Sequence, residues 1–107
     1  MPISQPTFSP AEITVTGATS SRITNLSVPI AFTEVSHLLQ TNVKQLIIRS
    51  RNLANLQIAF VSTESGTKYL TIPPGCNLKL DNIEFSSTTL YIQSSTASTT
   101  VEILELY

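Results

Sequence analysis

Apolar residues alternate with polar ones in short runs along most of this chain. The clearest stretch is Tyr69–Leu80, YLTIPPGCNLKL. Leu70 and Ile72 alternate with polar neighbours, Pro73-Pro74-Gly75 interrupts, and Leu78 and Leu80 resume the alternation. Two period-2 runs around a Pro-Gly turn predict a hairpin or a tight β-corner. Pro74 presets φ at the first central position of a type II turn, and Gly75 supplies the positive φ at the second.

The same period recurs on both sides. Strands are expected at Glu12–Thr16, at Arg22–Val28 up to the interruption at Pro29, and at Ile30–Val35. Further strands are expected at Val43–Arg51, Leu56–Ser62, Thr88–Ser94 and Thr99–Tyr107. Asp81–Ser87 is expected as a connection in which Ile83 and Phe85 alternate. Ser36–Thr41 reads as a helical turn or as a loop whose Leu38 and Leu39 cap one end of the core. In Val43–Arg51, Leu46 and Ile48 take one face; Gln45, Ile47, Arg49 and Arg51 take the other. The last run breaks the rule. Val101 and Ile103 fall on one face, Leu104 and Leu106 on the opposite one. A β-bulge near Ile103 or a strand covered on both faces would account for it.

About eight strands with turn signals every 8–14 residues predict an all-β fold, an antiparallel β-sandwich or jelly roll. There is no strand–helix alternation and no repeat of useful period. At 107 residues the chain has room for one core. The expected organisation is an extended N-terminal arm over residues 1–11 and a single β domain over 12–107. Pro2, Pro6 and Pro10 deny the arm ladder donors and hold it extended. Ile3 and Phe8 are its apolar anchors if it lies across a neighbouring subunit.

Composition sharpens this picture. Charged residues make up 12%, about half the usual share, and Ser and Thr fill roughly a quarter of the chain. Pleated surfaces carrying hydroxyls in place of charges fit that balance, Thr being β-branched. The formal net charge is −1, so no basic field draws phosphates and nucleic-acid binding is not expected. Few charges on many strands make a poor recipe for a free monomer and hint at a surface covered by partners. No apolar run approaches the length of a membrane span, and the N-terminal residues do not have the pattern of a signal peptide.

Candidate chemistry is sparse. Cys76 is the only cysteine and His37 the only histidine, so neither a disulfide nor a Cys/His metal cluster is expected. Cys76 reads as a small half-buried residue at a strand start, and His37 as a loop residue without companions. Glu102 and Glu105 have opposite parity and face apart, which spoils a carboxylate pair. No nucleophile motif or phosphate loop appears. No enzyme activity and no cofactor are expected. Arg49 and Arg51 share a face as a solvated stripe, an intersubunit contact to carboxylates, or an anion or glycan site.

The succession QLIIRSRN, LQIAFVST, a Gly turn, LTIPPGCNLKL, LYIQSS and VEILELY, over Gln45–Tyr107, resembles the small jelly-roll proteins of tailed-bacteriophage virions. Within that group it is most similar to head decoration, or cement, proteins. The resemblance implies a structural protein made in the host cytoplasm and carried on the capsid exterior. It would bind the major capsid protein and itself, often as a homotrimer, with no nucleic acid and no membrane as partners. Ile3, Phe8, Arg49, Arg51 and Tyr91 are then the candidate subunit or lattice contacts. The alternative is a tail or fibre module that recognises a host surface glycan, for which Tyr69, Tyr91 and Tyr107 are the available aromatics.

Overall fold

A computed structural model describes residues 18–81 and 88–107. Among these residues there are eight strands and no helix. They are β1 (Ser21–Val28), β2 (Val35–Leu38), β3 (Gln45–Ser50), β4 (Leu56–Ala59), β5 (Leu70–Ile72), β6 (Asn77–Leu80), β7 (Thr89–Ser94) and β8 (Thr99–Leu106). They form two four-stranded sheets, ordered β1-β8-β3-β6 and β2-β7-β4-β5. Every pairing is antiparallel.

The period-2 pattern explains how the sheets meet. Val28, Leu46, Ile48, Val101 and Ile103 of the first sheet form one buried cluster with Leu56, Ile58, Ile72, Leu90 and Ile92 of the second. Each is at most 3% exposed, and full burial of such a side chain stabilises by about 1.5–3 kcal/mol. Leu39 and Val43 add to the cluster from the connection between β2 and β3.

The Tyr69–Leu80 stretch is the β-corner and not the hairpin. β5 belongs to the second sheet and β6 to the first, so the Pro-Pro-Gly turn carries the chain across the core. Gly75 has φ 79°, and the Cys76 amide donates to the Pro73 carbonyl at 3.1 Å. These are the features of a type II turn. Cys76 itself is exposed, because the corner holds it ahead of the strand.

Several expected boundaries shift. The second strand lies at Val35–Leu38, not at Ile30–Val35. The residues after Pro29 turn instead, with Phe32 at φ 55°. His37 consequently sits in a strand, opposite Leu90. Leu39 caps the core at 4% exposure, while Leu38 is 62% exposed on the opposite parity. β4 stops at Ala59, where Phe60 opens a connection to β5. The expected strand Glu12–Thr16, most of the connection Asp81–Ser87 and the arm with Ile3 and Phe8 lie outside the described residues.

The slip in the last strand has neither a bulge nor a register jump behind it. β8 pairs one-for-one with β1 from Thr99 to Leu106, and with β3 from Val101 to Leu106. Leu104 and Leu106 keep the opposite parity, Leu104 half-buried and Leu106 buried at 6% exposure, so the end of the strand is covered on both faces. The inward position that follows Val101 and Ile103 is taken by Glu105, which is fully buried.

Candidate functional site

Strand β8 carries two carboxylates, and each organises a cluster on its own side of the first sheet. Outward parity places Glu102 directly opposite Arg49 of β3. Arg51 follows the strand, its amide donating to the Thr100 carbonyl. Each arginine gives one Nε–H to Glu102, Arg49 to Oε1 at 2.6 Å and Arg51 to Oε2 at 3.0 Å. The hydrogen bonds from Arg49 and then Arg51 hold the Glu102 carboxyl below its ordinary value. Both arginines remain more than half exposed, at 60% and 53%. They border a shallow recess of about 260 Å³ that the Gly75-Cys76-Asn77 corner closes on the other side.

The inward carboxylate has the opposite setting. Arg22 of β1 lies opposite Glu105 and donates from Nε at 2.8 Å; its Nη2 is 2.6 Å from the same oxygen. Nη2 also donates to the Leu38 carbonyl at 3.0 Å. His37 Nε2 lies 3.3 Å from Glu105 and 3.2 Å from Arg22 Nη2. The other Glu105 oxygen accepts from the Gln40 amide at 2.7 Å. One carboxylate thus ties β1 and β8 of one sheet to β2 and the following turn of the other. His37 therefore does have companions. They come from chain positions far away, so no spacing around His37 announced them. The readable signal was Glu105 itself, an acidic residue in line with Val101 and Ile103.

A third region lies on the outer side of the second sheet, where the chain from Phe60 to Tyr69 folds back. Glu34 accepts from the Thr63 amide at 2.9 Å, and from the Ser65 amide at 3.2 Å and hydroxyl at 2.5 Å. Gln93 Nε2 donates to the Ser65 carbonyl at 2.9 Å and to Gln57 Oε1. Partial burial would raise the Glu34 pKa, but the three donors outweigh it and the carboxyl is held low. So anchored, the segment leaves a recess of about 390 Å³ beside β4 and β5, bordered by Phe60, Val61, Tyr69 and Leu70 with Glu64 and Lys68.

The expected contacts do not converge. Arg49 and Arg51 stand on the outer side of the first sheet. Tyr91 is half-buried on the outer side of the second, between Ser36 and Ala59. Nothing within the described residues groups three or more His, Cys, Asp or Glu as a metal site, and no buried side-chain polar atom there is left unbonded. No helix of the described residues is long and apolar enough to cross a membrane. Comparisons with family models, with curated proteins and with solved structures find no match.

Proposed function

We propose that this chain is a structural protein of a tailed-phage virion. In this reading it binds the outside of the assembled head, with the major capsid protein and copies of itself as partners, and stabilises the shell. Its fold is then an eight-stranded jelly roll. The observation that carries this is the nesting of the strand pairs: β1 with β8, β2 with β7, β3 with β6, β4 with β5. A strip of paired strands rolled on itself gives this nesting, and jelly rolls are frequent in viral shells.

Fold alone does not assign a role, and the surface supplies the second support. Charge is spent within the chain: Arg49 and Arg51 on Glu102, Arg22 on Glu105, Lys79 beside Asp81 at 3.7 Å. Large apolar side chains are left out in the loops, Leu53 at 81%, Phe32 at 64% and Ile30 at 61% exposure. Loops of that character suit many small contacts on a repeating lattice, since they bring little charge to desolvate.

Co-sedimentation with purified, expanded heads lacking decoration tests the reading. Saturable binding and a higher disruption temperature of the heads are expected. A chain that stays in the supernatant at excess overturns it. A second reading, a receptor-binding module for a host glycan, is favoured by Tyr69, 42% exposed at the mouth of the β4–β5 recess beside Glu64 and Lys68. Saturable binding on a glycan array, lost in Tyr69→Ala, would select it.

A further inference from the structure

The four sheet edges formed by the described residues differ in how far they are defended against pairing. β5 is three residues long and runs into Pro73. β6 is four residues long and carries the exposed Lys79. β2 is four residues long, and Arg22 already occupies its Leu38 carbonyl. Short strands, lysine, proline and covered carbonyls all discourage edge-to-edge pairing. Among the described residues β1 has only the proline, Pro29 directly after Val28; it carries no lysine, and no carbonyl on its free edge is covered there. It is eight residues long, pairs in unbroken register with β8, and contains one charge, Arg22, which is spent on Glu105 and Leu38.

The register shows which groups β1 presents. Ser20 and Tyr107 exchange both backbone hydrogen bonds, at 2.7 and 2.9 Å. In an antiparallel ladder such pairs alternate, so Arg22, Thr24, Leu26 and Val28 bond to β8. Ser21, Ile23, Asn25 and Ser27 turn their amides and carbonyls away from it. We infer that this edge is a self-association seam: β1 of one copy pairs antiparallel with β1 of a second copy about a twofold axis at Thr24, joining the two first sheets into one.

Complementarity fixes the partner and the register. With Thr24 opposite Thr24 of the second copy, Ser21 meets Ser27 and Ile23 meets Asn25. Every outward amide and carbonyl of those four residues then finds a partner. No other antiparallel register uses them all. No like charges face each other, and a Thr–Thr pair across strands is favourable. The two Ile23 side chains lie on a diagonal of the seam, about 7–8 Å apart and within reach of each other. That gives a neighbour to a residue that is 73% exposed in the single chain. The inference does not rest on the virion reading, and it puts a twofold contact where the resemblance implies a threefold one.

A seam of one strand buries less than the roughly 800 Å² a side of a standard interface, so the dimer is expected to be concentration-dependent. Native mass spectrometry and light scattering of the full chain, from micromolar to millimolar, should show monomer passing to dimer. Asn25→Pro removes an outward donor and leaves the β8 bonds intact. It should shift the midpoint at least tenfold while its far-ultraviolet circular dichroism stays native. Thr24→Cys in a Cys76→Ser background should form an intermolecular disulfide on mild oxidation, whereas Ser27→Cys, away from the axis, should not. A monomer at millimolar concentration, a trimer that Thr24→Cys does not cross-link, or a dimer that Asn25→Pro leaves intact would overturn the inference.

Discussion

Glu102 and Glu105 stand three residues apart on one strand, and each is paired with arginine, yet they belong to different regimes. Glu102 lies on the outer face, where water shares the work of solvating it and its two arginines. Exposed ion pairs of this kind are worth little, because long side chains must be ordered for an attraction that water and salt screen. Glu105 is fully buried, and its partners replace water altogether. Taking a carboxylate out of water costs several kcal/mol, recovered only if every lone pair is met. Here Arg22, His37 and the Gln40 amide meet them. The lesson is that parity along a strand, more than the presence of a charge pair, decides what that pair contributes.

The sharpest way to break the comparison is to remove the buried partner. Glu105→Ala leaves Arg22 and the Gln40 amide facing a dry space and should cost about 3–5 kcal/mol, read as a lower urea midpoint. If Glu105→Ala melts as wild type does, the inner cluster is no clasp between sheets. The double change Arg22→Met with Glu105→Leu should recover part of that loss. Apolar residues of similar volume need no partners, and substitutions of this kind at buried ion pairs are often neutral or better.

Next in size is the corner that borders the outer cluster. Gly75→Val puts a β-branched residue at φ 79°, a cost of about 1–3 kcal/mol. Space is not the issue, since an added Cβ would meet only Leu53 Cδ2, at an ordinary 3.8 Å. Gly75→Ala should therefore lose most of the same stability in a thermal melt. A large gap between the two variants would shift the blame from the backbone to crowding.

Much of this fold could be read from alternation, and the failures have physical causes. The inward residues of β3, β4, β7 and β8 follow period 2, and the Pro-Pro-Gly turn was legible because Pro and Gly fix φ directly. β2 was misplaced because Ile30 and Phe32 look like strand residues. Pro29 and the left-handed Phe32 make a turn of them, and that backbone state is not written in an apolar side chain. The Phe60–Tyr69 segment was likewise hidden, since its anchors, Glu34 and Gln93, are distant in the chain. Of the candidate site, Arg49 and Arg51 were found but not their acceptor, because cross-strand partners depend on sheet order. Glu105 was visible only as a fault in the pattern, which read more readily as a bulge than as a buried carboxylate.

Glu34 falls between the two regimes, being partly covered and bonded to three donors of one segment. Its folded pKa is lowered, so the unfolded chain binds the proton more tightly. Its contribution is complete above the ordinary carboxylate value of about 4.3 and is lost as the pH falls through the folded value. Glu34→Gln should therefore weaken the fold at pH 7 by about 1 kcal/mol, the scale of a lost hydrogen bond. It should also flatten the acid limb of the stability profile. Hydrogen exchange should show the Thr63 and Ser65 amides losing protection first. An acid limb with the same slope in wild type and Glu34→Gln would mean that other carboxylates set it.

The smallest effect on stability should come from Glu102→Ala, and that smallness is its use. Its pKa is also lowered, but on a solvated surface, so the melting temperature should stay within error of wild type at pH 7 and respond weakly to salt. What changes is the face: Arg49 and Arg51 lose the acceptor that fixes their guanidinium groups and are free to pair elsewhere. If this face meets carboxylates on a shell, Glu102→Ala should alter head binding without altering the melt, and Arg49→Ala with Arg51→Ala should weaken it. If head binding ignores all three changes, the outer cluster is a solvated stripe, and contact with the lattice falls to the other candidates, Ile3, Phe8 and Tyr91, or to the loops that expose Ile30, Phe32 and Leu53. Glu102 thus separates binding from folding, which no variant of Glu105 can do, because every change at the inner carboxylate moves the fold first.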